Sequence, residues 1–329
     1  MLALSRSDLR QVASMADAIG LMKTAFHELS AGRAVSPLRV PIDVHERHGV
    51  TLFMPAMVPA AGALGVKIVS VFPENIPMGL PTIHALVCLV STETGQPIAI
   101  MDGTYLTALR TGAVSGAATD FLARPESKTL VVIGAGAQGV TQAAAVCEVR
   151  PIERIIAVDA REEQLARYRQ MIAADWPHLV DRLETSTDAR SVREADVVCT
   201  ATTSKTPVFD DADIRPGTHI NAVGAFTPEM QEVPAATIAR ALVVLDNIEA
   251  ALAEAGDLII PMAAGIFSRA HLERELGNLV AGTATGRTSA DQVTFFKSVG
   301  NAVQDVVVAK LATDRAMERG LGHTLDLAR

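Results

Sequence analysis

The sequence predicts an α/β protein, with a Rossmann-type doubly wound parallel sheet in one domain and a second domain beside it. Three observations predict this. The chain has 329 residues, more than one core usually serves, because domains tend to run to about 100–200 residues. From Ser127 onward, short apolar runs alternate with helical stretches, the pattern of parallel strands with helices on both faces. One of those runs, Leu130-Val131-Val132-Ile133, leads straight into Gly134-Ala135-Gly136-Ala137-Gln138-Gly139.

Taken in order, Ser14 followed by Asp17 reads as a helix start. Ala18, Leu21, Met22, Ala25 and Leu29 then fall at helical spacing, and Gly32 is placed to end the helix. From about 35 to 89 the texture changes to short β-rich runs, 50–54, 64–72 and 82–90, broken by Pro and Gly, which predicts a sheet. Thr92-Glu93-Thr94-Gly95 is a turn between strands. Residues 102–124 read as a helix dense in Ala and Gly, and so tightly packed. The second half predicts strands at 129–133, 154–159, 196–200, 218–223 and 242–246, with helices at 138–149 and 162–174. A last helix over roughly 290–311 leads back toward the first domain. No repeat or low-complexity segment interrupts the chain.

Composition excludes several classes of function. Hydrophobic residues make up 49% of the chain and charged residues 20%, which suits a folded core and not a disordered segment. The formal net charge is −8 with no run of Lys or Arg, so nucleic acid would find no basic stripe for its phosphates. Among the eight histidines no metal-ligand spacing occurs, and no metal is expected. Cys88, Cys147 and Cys199 are far apart in apolar strings and odd in number, which reads as core thiols in a reducing compartment. The N-terminus turns polar too early for a signal peptide, and long uncharged stretches such as 49–66 are broken by Pro55, Pro59, Gly62 and Gly65. A cytoplasmic protein with no membrane partner is expected.

The glycine motif names a cofactor class. Gly134 permits a tight turn, Gly136 lets backbone approach a pyrophosphate, and Gly139 lets helix pack close on strand. Ala137 and Gln138 open a helix whose free N–H groups and positive dipole end suit phosphate. Asp159 ends the second strand, 20 residues after Gly139. Its carboxylate can accept from a ribose diol and would repel a 2′-phosphate, which favours NAD(H). Arg161, two residues on, leaves NADP(H) open. The bland alternatives are a purely structural glycine turn and a surface strand end.

In the first domain, Arg39, Lys67 and Arg110 each sit among apolar or small residues: Pro37-Leu38-Arg39-Val40-Pro41, Gly65-Val66-Lys67-Ile68-Val69 and Ala108-Leu109-Arg110-Thr111-Gly112. Charges in such settings are costly unless paired. Each alone could be a snorkelling strand-edge residue or half of an ion pair. Together they suit the carboxylate of an α-amino or imino acid.

These segments resemble the ornithine cyclodeaminase/mu-crystallin family over nearly the whole chain. The resemblance rests on the Lys67 strand with Val71-Phe72-Pro73-Glu74-Asn75, Gly79-Leu80-Pro81-Thr82, Glu93-Thr94-Gly95 and Leu109-Arg110-Thr111-Gly112-Ala113. It continues through Gly134–Gly139, Thr200-Ala201-Thr202-Thr203, Asn221-Ala222-Val223-Gly224 and Phe295-Phe296-Lys297-Ser298-Val299-Gly300. It implies a homodimer. Residues 1–121, completed by about 300–329, would form an α+β substrate and dimerisation domain, and 122–299 the Rossmann domain. It also implies that Arg39, Lys67 and Arg110 hold the substrate carboxylate, with Lys67 handling the proton. Thr82, Thr111, Asp159, Thr200 and the Val223-Gly224-Ala225 turn match cofactor contacts, and Ala201 and Ser298 in the matching segments complete that set.

One position departs from the cyclodeaminases and related alanine dehydrogenases, which carry an aspartate shortly after the Asn-Ala-Val-Gly strand. Here Phe226 stands in that place, with Glu229 nearby as a partial substitute. An aromatic ring cannot relay a proton to leaving ammonia. The variant resembles the ketimine reductase branch, which reduces Δ1-pyrroline-2-carboxylate or its six-membered homologue to L-proline or L-pipecolate. The competing readings are a cyclodeaminase or alanine-type dehydrogenase, and a nucleotide-binding crystallin-like protein without turnover. His84 is expected to be a hydrogen-bonded core histidine, and no chemistry is assigned to Glu74 or Asn75.

Overall fold

In the computed structural model, which describes residues 1–326, the chain forms two units, each with its own seven-stranded sheet. The first runs β1 (Leu2–Leu4), α1 (Arg6–Val12), α2 (Met15–Ser30), β2 (Val40–Val44), β3 (Gly49–Val58), β4 (Ala63–Val71), β5 (Ile83–Val90), β6 (Pro97–Asp102) and into α3 (Gly103–Leu122). Both short N-terminal helices start on capping boxes, Ser5 with Asp8 and Ser14 with Asp17, so the predicted start at Ser14 is the observed one.

The second unit follows. It comprises β7 (Thr129–Ile133), α4 (Ala137–Val149), β8 (Arg154–Val158), α5 (Glu162–Asp175), β9 (Leu183–Ser186), β10 (Val197–Thr200) and β11 (His219–Ala222). Then come α6 (Ala235–Arg240), β12 (Leu242–Leu245), α7 (Ile248–Glu254), α8 (Gly256–Ala263), α9 (Leu276–Val280) and β13 (Thr294–Lys297). The chain re-enters the first unit through α10 (Ala302–Arg319) and β14 (His323–Thr324). The units divide between Arg110 and Thr111, and again between Gly300 and Asn301. The first division falls inside the continuous helix α3, ahead of the 121/122 boundary that the resemblance implies, because a shared helix carries no change of texture.

The last helix differs from the sequence reading. Residues 294–297, expected within a helix over 290–311, form strand β13, and α10 starts at Ala302. Gly300 at φ +85° stops the strand, and Asn301 caps the helix by accepting from Val303 N–H. The segment Val293–Val299 is buried at every position, so it carries no period that separates buried strand from buried helix. Strand β9 escaped notice because Leu183-Glu184-Thr185-Ser186 lacks an apolar run.

In the first unit the sheet order is β14-β1-β6-β5-β4-β3-β2, antiparallel except for β1 beside β6. Helix α10 lies against β3, β4 and β5, with α1 and α2 packed on it. Alternation along β4 turns Ala63, Gly65, Lys67 and Val69 to the buried face. Opposite them α10 buries Val303, Val306, Val307 and Ala309. Period two on the strand and 3.6 on the helix thus bring a lysine beneath a helix.

In the second unit all strands are parallel, in the order β12-β13-β11-β10-β7-β8-β9. The chain works outward from β7 in both directions, so the order reverses between β7 and β10. A crevice at the carboxyl ends of the strands at such a reversal is where doubly wound sheets take their ligands. No helix among the described residues is long and apolar enough to cross a membrane.

Candidate functional site

Lys67 and Arg110 come from different elements of the first unit and meet one carboxylate. Lys67 Nζ lies 2.8 Å from Asp305 Oδ2, and Arg110 Nε donates to Asp305 Oδ1 at 3.1 Å. Asp305 is fully buried in the first turn of α10, at the helix end whose dipole favours an anion. Gln304 beside it accepts from Arg110 Nη1 at 2.7 Å and from Asn301 N–H at 2.8 Å. Its Nε2 is buried with no hydrogen-bond partner among the described residues. Val40 pairs with Phe53, and Met54 pairs with Lys67. Arg39, one residue ahead of Val40, is therefore carried toward Lys67 and adds to the positive potential there.

Two buried cations sharing one carboxylate leave this trio with a net positive charge. Desolvation first, then Arg110, pull the Lys67 ammonium down from its ordinary range, while Asp305 opposes them; the result is about 7. A lysine so placed gives or takes a proton near neutral pH, and an anion entering beside it would restore charge balance.

In the second unit the glycine loop has three distinct surroundings. Gly134 takes φ +100°, and a Cβ there would come within 2.5 Å of Ala201 O. A Cβ on Gly139 would sit 2.3 Å from Gly134 O, with Val132 and Tyr168 pressed behind it. A Cβ on Gly136 would meet nothing beyond its chain neighbours within 4 Å, and α4 starts there without a side-chain cap. Tight turn, close packing and open backbone are the three properties a pyrophosphate cradle needs. Ala137 is exposed and Gln138 half-buried at this helix start. Thr200, at the end of neighbouring β10, is fully buried, and neither its Oγ1 nor the buried Gln138 Oε1 has a hydrogen-bond partner among the described residues. These orphaned groups and the open cradle fit a dinucleotide.

Asp159, just past β8, accepts from Ala135 N–H at 3.2 Å and from Arg161 N–H at 3.1 Å. The exposed Arg161 guanidinium lies 3.5 Å from the same carboxylate. Removing the carboxylate would free Arg161 for a 2′-phosphate. Asp159→Ser is expected to shift the NADPH-to-NADH ratio of kcat/KM upward by about tenfold or more, one charge interaction's worth. An unchanged ratio in steady-state assays would refute the role given to Asp159.

Other sequence-selected residues have different settings. Thr111 is buried and its carbonyl accepts from Gln142 Nε2 at 3.0 Å. Thr82 precedes β5, where its carbonyl accepts from the N–H of Phe72, the residue that follows β4. Val223, Gly224 and Ala225 follow β11, and Ala201 follows β10. Ser298 is buried and donates to Asp246 Oδ2 at 2.7 Å. His84 is exposed, which corrects the expectation of a core histidine; it lies on the less buried end of β5. Phe226 is half-buried against the apolar core of the second unit, and Glu229 is exposed. Cys199 is buried, whereas Cys88 and Cys147, expected in the core, are only half-buried.

Sequence reasoning missed Asp305 and Gln304, and also a buried set in the second unit. There Glu232, Asp257 and Lys297 are all fully buried, with Lys297 Nζ donating to Asp257 Oδ2 at 2.8 Å. A signal existed for Asp305. It is the one acid between Asp291 and Asp314, and Val306-Val307-Val308 follow it. The same test that selected the cations selects it.

Comparison with known proteins agrees along nearly the whole chain. The profile of the ornithine cyclodeaminase/mu-crystallin family matches residues 1–320. A Δ1-pyrroline-2-carboxylate reductase of Bacillus cereus is 40% identical over 327 residues, 99% of this chain and 100% of that relative. The structure of Thermococcus litoralis Δ1-pyrroline-2-carboxylate reductase in complex with NADH and L-proline is similar with a TM-score of 0.94. It is 41% identical and covers 99% of this chain and 100% of that one. An archaeal alanine dehydrogenase dimer with bound NAD is similar at a TM-score of 0.91 and 33% identity, covering 99% of each chain.

Proposed function

The chain belongs to the ornithine cyclodeaminase/mu-crystallin family, and from that premise we propose that it reduces a cyclic imine 2-carboxylate with NADH. The substrate is Δ1-pyrroline-2-carboxylate or its six-membered homologue, and the product L-proline or L-pipecolate. The observation that carries this reading is the buried trio, in which Asp305 is shared by Lys67 and Arg110. It is short of one negative charge, and the substrate carboxylate supplies it.

Arg110 and Arg39 clamp the carboxylate and so orient the ring. Lys67 Nζ carries the proton that makes the ring nitrogen an iminium, and its position near 7 suits proton transfer at neutral pH. NADH, when bound on the glycine loop, supplies the hydride that C2 accepts. One hydride at C2 and one proton at nitrogen convert the C=N bond to the secondary amine. Fixing the ring in one orientation supplies a large part of the rate gain. Phe226 in place of the aspartate supports reduction over ammonia release.

The test is loss of NADH absorbance with freshly generated Δ1-pyrroline-2-carboxylate, with parallel reactions of NAD and L-ornithine, and of NADH with pyruvate and ammonia. Turnover with the imine alone is expected. Ammonia release from ornithine, or turnover of pyruvate, with the imine inert, would overturn the proposal.

The working form is a homodimer. Val40 and Ile42 on β2, Ile76, Met78 and Leu80 after β4, and Ile83 and Leu86 on β5 are exposed apolar residues in the first unit. Such clustering marks an interface, and the archaeal alanine dehydrogenase is a dimer. Light scattering that finds a monomer would refute this.

A further inference from the structure

Glu232 is a carboxylate with no part in the chemistry above, yet it is fully buried and makes three short contacts. Its Oε1 accepts from Thr202 N–H at 2.6 Å; its Oε2 accepts from Gly224 N–H at 2.7 Å and Ala225 N–H at 2.9 Å. Thr202 lies in the loop after β10, and Gly224 and Ala225 in the loop after β11, on adjacent parallel strands. One side chain therefore ties two loops together. A Cβ on Gly224 would come within 2.4 Å of Glu232 Oε1 and 2.3 Å of Thr202 O, so the loops close on the carboxylate only because this residue is glycine.

The backbone that carries this carboxylate is itself held. Asp257 Oδ1 accepts from Glu232 N–H at 2.7 Å and Val233 N–H at 3.0 Å, and Lys297 from the end of β13 neutralises Asp257. Two acids and one ammonium are kept out of water here, at a desolvation cost that a backbone turn would not incur.

The location of these loops gives the cost a purpose. If Asp159 after β8 meets the adenosine ribose and the Gly134–Gly139 loop after β7 meets the pyrophosphate, the remainder of the dinucleotide extends over β10 and β11. We propose that Glu232 is a positioning residue that shapes the seat of the nicotinamide half of NADH by clamping these two loops. The proposal rests on the reading that this unit binds NADH.

Glu232→Gln keeps the size and replaces one acceptor oxygen by a donor. Either Thr202 or the Gly224-Ala225 pair then faces an N–H instead of an acceptor, and the loops part. Calorimetric titration with NADH and with ADP-ribose, which lacks nicotinamide, separates the outcomes. NADH is expected to bind about tenfold more weakly to Glu232→Gln, the loss of roughly one charge-assisted hydrogen bond. ADP-ribose should bind within about twofold of wild type. Glu232→Asp, whose shorter arm reaches one loop only, should show the same split and serves if the glutamine variant does not fold. Equal weakening of both ligands, or of neither, would overturn the clamp. Failure of the wild type to bind NADH would instead overturn the reading beneath it.

Discussion

Lys67→Met is expected to lower kcat/KM for the cyclic imine by about a thousandfold, the scale of a lost general acid, with NADH affinity and the melting temperature close to wild type. Methionine matches the length of the buried stem and removes the ammonium. It also removes a desolvated charge, so the fold need not suffer. Wild type should show the proton's signature: kcat/KM falls as pH rises through about 7, where the Lys67 ammonium is lost. Lys67→Arg cannot lose its proton in this range, so whatever activity it retains should lack that limb. Near-wild-type activity in Lys67→Met, or the same limb in Lys67→Arg, would remove Lys67 from the reaction.

Asp305→Asn should act through the same lysine with the opposite diagnostic. Asp305 is what holds the Lys67 proton on against desolvation and the two arginines. Without it the ammonium is lost at lower pH, and the alkaline limb should move acidward by about one unit or more. At a pH of about 7.5 activity falls by about eightfold or more, and part of it returns on acidification. Stability should drop as well, by about 3–5 kcal/mol, because two buried cations lose their counter-charge. A variant with reduced activity and an unmoved limb would make Asp305 structural only, and a pH-rate profile alongside thermal melts distinguishes the two.

Much of the second unit was legible because its signals are local. The turn at Gly134, the apolar helix after it and the acid at Asp159 are fixed by neighbours a few residues away or by one βαβ unit. Five of its seven strands follow from short apolar runs between breaks. Strand β13 did not, since Thr294–Lys297 is buried on both faces and shows no exposed side to set a period. Glu229 stands close enough in the chain to substitute for the missing aspartate, and the fold leaves it exposed in the loop after β11. Spacing measures distance along the chain, and orientation belongs to the turn.

The amino-acid sequence by itself determined the class of cofactor and the three cations of the first unit, because glycine geometry and the cost of charge among apolar residues are properties of short segments. The tertiary structure alone decided how those cations behave. Arg110 and Asp305 stand 195 residues apart in the chain and 3.1 Å apart in space. The proton affinity of Lys67 depends on burial and on which charges surround it, and only folding β4 beneath α10 sets either of them.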